Sequence, residues 1–281
     1  MKKNWKKDLA GLLIILFFVM PSVINAQNEK VFIRKYLKSI PSVKLNNEPA
    51  KYRMTAIYTN RDLYGNFMDK KKISGEYTYG LENGFATWNN VFISSSSDFS
   101  KPFPMGIKQE YIENFIYVPS TEMLSPGAFK DFPPTPETVF AKNLVWDMMM
   151  IENFARDYSD TLQLNRTYII PEISGEFAME DIGNYSHTSI QICWTGVSVL
   201  NGKMCAVLEY RALDNKIELN MNQIKTRGTE QYWGTTWVAL DDKQIEYAEV
   251  YGGTIQEIEV TGIRNKFLVK TIRELWVEKI Q

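Results

Sequence analysis

Histidine and cysteine are almost missing from this 281-residue chain, which holds one histidine, His187, and two cysteines, Cys193 and Cys205. Metal centres built from clustered His and Cys ligands, and catalysis by a histidine base, therefore have little to draw on. An excess of one charge is lacking too. The formal net charge is −1, so no basic surplus points to nucleic acid. There is no G-x-S-x-G elbow, no P-loop and no G-x-G-x-x-G. No cofactor is implied. His187 stands among Asn184, Tyr185, Ser186 and Thr188, which reads as a solvated loop with no metal-ligand partner. Paired carboxylates would suffice for glycoside hydrolysis, so that class stays open. Yet no acidic pair is singled out, and Glu180-Asp181 and Asp241-Asp242 read as turns.

Long apolar runs are confined to the start. Lys2, Lys3, Lys6 and Lys7 precede an apolar stretch from Leu9 to Met20, broken by Pro21 and Ser22. Ile24-Asn25-Ala26 then places a small residue at a cleavage point. Residues 1–26 are expected to be a signal peptide, with Gln27 as the new N-terminus. The remaining chain carries 28 basic and 32 acidic side chains, a mild net −4. It has no segment approaching the 18 or so apolar residues of a membrane span. The expected destination is export, to the periplasm or the extracellular space.

Export to an oxidising compartment invites a Cys193–Cys205 disulfide. Local geometry argues against one. Asn201-Gly202 lies between two alternating apolar runs and reads as a two-residue hairpin turn. That turn sets Leu200 opposite Lys203, Ser198 opposite Cys205 and Cys193 opposite Tyr210. The cysteines then sit on the order of 16 Å apart at the usual strand rise, whereas a disulfide needs Cα atoms within about 7 Å. Both thiols are expected to be free. In this register Cys193, Thr195, Val197 and Val199 share a core face with Met204, Ala206, Leu208 and Tyr210.

Strand-like runs occupy Tyr52–Thr59, Ile73–Tyr79, Phe85–Ile93 and Ile107–Val118, with a loop at Ser94–Ser97. Prolines 119, 126, 133, 134 and 136 mark the next stretch as irregular. A helix is expected from about 136 to 158, with Thr135 as N-cap and Pro136 in its first turn. Phe140, Leu144, Met148, Ile151, Ala155 and Tyr158 fall on one face. Trp146, Met149 and Met150 fall elsewhere, so the helix is apolar beyond its core stripe. From Leu164 to Ile280 the chain reads as a meander of runs at Thr167–Met179, Thr188–Val199, Met204–Ala212, Ile217–Thr226, Tyr232–Leu240, Gln244–Val250, Thr254–Val260 and Phe267–Lys279. Short turns join them, Asp214-Asn215, Asp241-Asp242 and Arg264-Asn265 among these. The fold expected for residues 27–281 is one mainly β domain. Its large curved antiparallel sheet, a half-barrel or open barrel, has one principal helix packed against or plugging it.

Two groups of side chains are candidates for ligand binding. Trp146, Met149 and Met150 offer adaptable apolar surface on the helix. Trp233 and Trp237 share a strand face, where they fit an apolar pocket or a platform for sugar rings.

The stretch Asn201-Gly202-Lys203-Met204-Cys205-Ala206-Val207-Leu208, followed by Tyr232 to Asp241, is similar to exported bacterial β-proteins. With its helix and leader, the chain resembles the periplasmic half-barrel carriers of lipoproteins and lipids, the LolA/LolB type. The resemblance spans about residues 164–280. It implies a curved sheet around an apolar cavity, no cofactor and no covalent chemistry. The first expectation is thus a non-enzymatic carrier of a lipid or acyl chain. The alternative is an envelope module that binds glycan or a protein partner. A hydrolase and an eight-stranded outer-membrane barrel complete the options, the barrel disfavoured by the Ile280-Gln281 terminus and the charged last strand.

Overall fold

The computed structural model describes residues 48–125, 127–156, 161–170, 175–178, 183–221 and 223–280, together with Arg34, Leu37 and Leu45. The expected leader, the Glu180-Asp181 turn and Tyr158 lie outside the described residues.

Thirteen strands make one antiparallel sheet. In chain order they are β1 (Ala50–Asp62), β2 (Phe67–Tyr79), β3 (Ala86–Ser96), β4 (Ile107–Lys108), β5 (Phe115–Tyr117), β6 (Thr167–Ile170), β7 (Gly175–Ala178), β8 (Gly183–His187), β9 (Ser189–Leu200), β10 (Lys203–Met221), β11 (Ile224–Ala239), β12 (Ile245–Val260) and β13 (Phe267–Ile280). The sheet runs β4-β3-β2-β1-β13-β12-β11-β10-β8-β7, with β5 beside β3, β9 beside the first half of β10, and β6 beside β9. It is open, ending in short strands at β4 and β7, so the closed outer-membrane barrel does not apply. The β1–β13 pairing, from Lys51↔Ile280 to Asp62↔Val269, fuses the early strands and the late meander into one sheet.

One long helix, α1 (Pro136–Arg156), lies against the concave side. Its first turn carries Glu137 and its last Arg156, each sign matching the helix dipole. The expected stripe of Leu144, Met148, Ile151 and Ala155 is buried, and so are Ala141, Val145 and Phe154. The contacts show why so much of the helix is enclosed. Phe140 packs edge-on to Tyr58 of β1 at 5.0 Å, and Phe154 meets Tyr210 of β10 at 4.6 Å. Glu152 accepts a hydrogen bond from the Tyr77 hydroxyl of β2 at 3.0 Å. Strands from both sides of the sheet reach the same helix, so the sheet curls around it. Gly234 permits part of that curl: a Cβ there would lie 2.6 Å from the Tyr210 hydroxyl.

The meander differs from its expected form in length. Three expected breaks are absorbed into long strands: 213–216 into β10, 227–231 into β11 and 251–253 into β12. Asp214-Asn215 does not turn the chain. It forms a bulge between Ala212 and Asn215, where Asp214 takes φ 58°, a conformation that a short polar side chain tolerates. Conversely, the expected strand Ile107–Val118 splits into β4 and β5 around a 3₁₀ turn at Glu110–Ile112. Ser94–Ser96 belong to β3, paired with Lys70–Lys72, not to a loop.

The Asn201-Gly202 hairpin forms as expected, with both residues at positive φ (51° and 76°), as a type I′ turn requires. Its register matches as far as Val207↔Gly196 and then slips. Leu208 faces Trp194, and Tyr210 faces Ile192 instead of Cys193, so Thr195 is the extra residue of a bulge. The slip exchanges the faces of β9. Ile192 and Trp194 enter the core beside Leu208 and Tyr210, while Cys193 and Thr195 stay half-buried. The larger apolar side chains win the interior, and the Trp194 indole N–H is satisfied by the Gly196 carbonyl at 2.6 Å. Both cysteines are free, and burial pushes the Cys205 thiol up to about 12, which keeps it unreactive.

Candidate ligand surface on the concave face

Cross-strand partners in an antiparallel sheet share a face, and the helix contacts fix which face is concave. Tyr210 touches Phe154, and Arg273 is ion-paired with Asp147 of α1. From these anchors the register carries the concave face outward along β10–β13. A 21-residue helix is about 30 Å long, whereas the 16-residue strands β11 and β12 extend about 50 Å. The strands outrun the helix.

Three zones follow one another along this face. The first is the packed end, where Leu144, Met148 and Ile151 of α1 share a core with Tyr52, Met54, Ala56, Leu275 and Val277. The second is a polar band. Its rungs are Asn215↔Glu230, Glu230↔Thr254, Thr254↔Thr271, Thr271↔Asn60 and Asn60↔Asp69. Tyr185 donates to Glu230, Thr271 donates to Asn60 at 2.8 Å, and Asn60 donates to Asp69 at 2.9 Å. The third zone is apolar again: Ile217, Leu219, Ile224, Ile258, Phe267 and Val269 on β10–β13. Ile217 and Val269 are buried, but Ile224 is 37% and Phe267 46% exposed. A pocket of about 300 Å³ opens at these strand ends, but apart from Leu219 and Thr226 its strand residues, Glu218, Asn220, Lys225, Arg227, Glu257 and Glu259, alternate with the concave set and so belong to the convex face. Its rim is charged, with Glu257 bridging Arg227 and Lys266 at 2.8 Å each.

His187 lies in this site, not in a solvated loop. It is half-buried in β8, 4.7 Å from the Tyr185 ring and 6.1 Å from that of Tyr232. Burial depresses its imidazole to about 4, so it is neutral at pH 7. Burial likewise holds Glu230 above the usual carboxylate range, against the pull of hydrogen bonds from Tyr185 and Thr254. Tyr185 is driven far up, by burial first and by the Glu230 charge second. These polar residues escape a sequence reading because the bulge at 212–215 decides which way Asn215 faces. Among the described residues, no three His, Cys, Asp or Glu side chains gather as metal ligands.

The five expected ligand residues separate into two places. The Trp146 indole donates to the Met123 carbonyl at 3.0 Å and stands edge-on to Phe129 at 5.7 Å, beneath the proline-rich loop. Met149 is buried and Met150 half-buried on the same helix. Trp233 and Trp237 alternate with Tyr232, Gly234 and Thr236 and so point from the convex side. There Trp233 stacks on Tyr251 at 6.3 Å and Trp237 meets Tyr247 at 5.3 Å. Trp276 shares that face, opposite Glu249. The sheet thus divides the helical group from the tryptophan pair.

No protein-family model and no curated protein matches the sequence. Among solved structures, one of lipid–protein interactions in lipovitellin is similar over 83% of this chain, at 12% identity and a TM-score of 0.47. This chain spans only 25% of that one. A DUF1329 family protein from Desulfovibrio piger is aligned over 83% of this chain and 86% of its own, at 8% identity and a TM-score of 0.15. Both scores are too low to bear on function. Among the described residues, no helix is long and apolar enough to cross a membrane.

Proposed function

We propose that this chain is a non-enzymatic, exported binder of a lipid or another molecule with an acyl chain, held on the concave face beyond α1. The observation that carries this reading is the apolar zone of β10–β13, with Phe267 and Ile224 partly exposed on the inner side of a curved sheet. Each methylene buried there gains about 0.8 kcal/mol, so six would supply roughly 5 kcal/mol before ordering costs. Export rests on the leader-like residues 1–26, and the periplasm is the leading compartment. Trp146, Met149 and Met150 belong in this reading to the helix wall behind the site.

Native mass spectrometry of the chain purified without detergent tests it. We expect an excess mass of lipid size that extracts into organic solvent, and its loss from Phe267→Asp. A clean apo mass that takes up no added fatty acid would overturn the reading. Retention lost on making Trp146 and Met149 polar, but kept in Phe267→Asp, would move the site to the helix.

A second reading has its own observation. Trp233, Tyr251, Trp237, Tyr247 and Trp276 form an aromatic stripe on the convex face, with Trp233 48% exposed. Such a stripe suits sugar rings of an envelope glycan. Glycan-dependent protection of tryptophan fluorescence from acrylamide would favour it, and unchanged quenching would count against it.

A further inference from the structure

At the β8 border of the polar band, five polar side chains gather from three strands: Tyr185 and His187 on β8, Asn215 on β10, and Glu230 and Tyr232 on β11. Tyr185 is committed to Glu230. Asn215 is fully buried and neither of its amide atoms completes a hydrogen bond. The Tyr185 hydroxyl, which donates to Glu230, can still accept from one Asn215 N–H, so the second N–H and the amide oxygen are what remain unpaired. The Tyr232 hydroxyl, in a residue 4% exposed, has no partner either. An enclosed polar group left unpaired bears the whole cost of its desolvation. Two such side chains within one cluster leave donors and an acceptor unspent beside a proposed ligand surface.

The unspent groups define a chemistry. Asn215 offers an N–H donor and a carbonyl acceptor, and the Tyr232 hydroxyl can give or take. A hydroxyl group, itself donor and acceptor, complements both. A carboxylate does not: it accepts only, and it would enter beside Glu230. Asp147 neutralises Arg273, the cation two strands away on this face, although the Arg273 Nε keeps no hydrogen-bond partner.

We propose that Asn215 and Tyr232 bind the uncharged, hydroxyl-bearing head of an amphipathic ligand whose chain lies on the apolar zone of β10–β13. This rests on the binding reading above and narrows it from any acyl chain to a neutral polyol or alcohol lipid. The polar band thereby sets the ligand's direction, head toward α1 and tail toward the strand ends.

The test uses the full chain with two probes of equal chain length, 1-monoolein and oleate, at pH 7. The decisive variant is Tyr232→Phe. It deletes a hydroxyl that has no partner within the protein, so the fold should stand or gain slightly. We expect monoolein to bind about tenfold or more tightly than oleate, and Tyr232→Phe to weaken monoolein about tenfold while leaving oleate unchanged. Equal affinity for the two probes, or an unchanged monoolein affinity in Tyr232→Phe, would overturn the head-group assignment and leave the apolar zone as an unselective chain site. The second outcome is also the one expected if a water molecule satisfies these groups. Failure of both probes to bind would overturn the chain site itself, and the head-group assignment with it.

Discussion

The two ends of the concave face use similar apolar side chains to different effect. At the packed end, Met148 and Leu144 of α1 share one core with Met54 and Ala56, all fully buried. At the far end, Phe267, Ile258 and Leu219 line the same curved surface without full burial. Curvature alone therefore does not make a core here. The helix does, and its 21 residues end short of the strands. Between the ends runs the hydrogen-bonded band of Glu230, Thr254, Thr271, Asn60 and Asp69, a line that the core does not cross.

The contrast can be broken hardest at the Asp147–Arg273 pair, which ties helix to sheet where the packed end meets the band. Asp147→Ala leaves a largely buried guanidinium without its partner. Stability should fall by about 3–5 kcal/mol in urea unfolding, and pairing Asp147→Leu with Arg273→Met should restore much of it. Truncating one side chain at each end sharpens the contrast. Met148→Ala should cost about 3 kcal/mol by opening a cavity. Phe267→Ala should cost less than about 1 kcal/mol and instead reduce ligand retention in native mass spectrometry. Comparable losses of stability at both ends would show that the far end is core after all.

A further effect concerns pH. His187 titrates near 4 in the fold, against about 6.5 unfolded. As pH falls below 6.5, the unfolded chain takes up the proton first, so stability declines until about pH 4 and is flat above 6.5. Relative to His187→Gln, the wild type should lose about 2 kcal/mol between pH 7 and 4.5, read from unfolding midpoints. Glu230 works in the opposite sense, because its raised pKa lets the fold gain stability as pH falls. The two proteins must therefore share it, and parallel pH profiles would place His187 in water.

Periodicity made the sheet, the helix and the Asn201-Gly202 turn legible, because each depends on residues close in sequence. Leu144, Met148 and Ile151 announce a buried stripe, and the hairpin register correctly separates the cysteines. What stayed hidden depends on bulges. The extra residue at Thr195 turns Ile192 and Trp194 inward, and the one at 212–215 decides which way Asn215 faces. Both are settled by competition for the interior, which no local pattern encodes. The same limit applied to His187, whose polar neighbours read as a loop although β10 pairs with them. Trp233 and Trp237 were rightly placed on one face, but only the long-range register shows that face to be convex.

The borders of the sheet carry a last consequence. The outermost strands are stubs: β4 has two residues, β5 three, β6 and β7 four each. The strands of the through-going core, β1, β2 and β10–β13, have 13 to 19. A second molecule seeking to extend one of these stubs would find only a few unpaired backbone groups, too short a template for a growing stack. An open sheet of thirteen strands can in this way remain a finite object, its growth checked by the brevity of its outermost members instead of by closure.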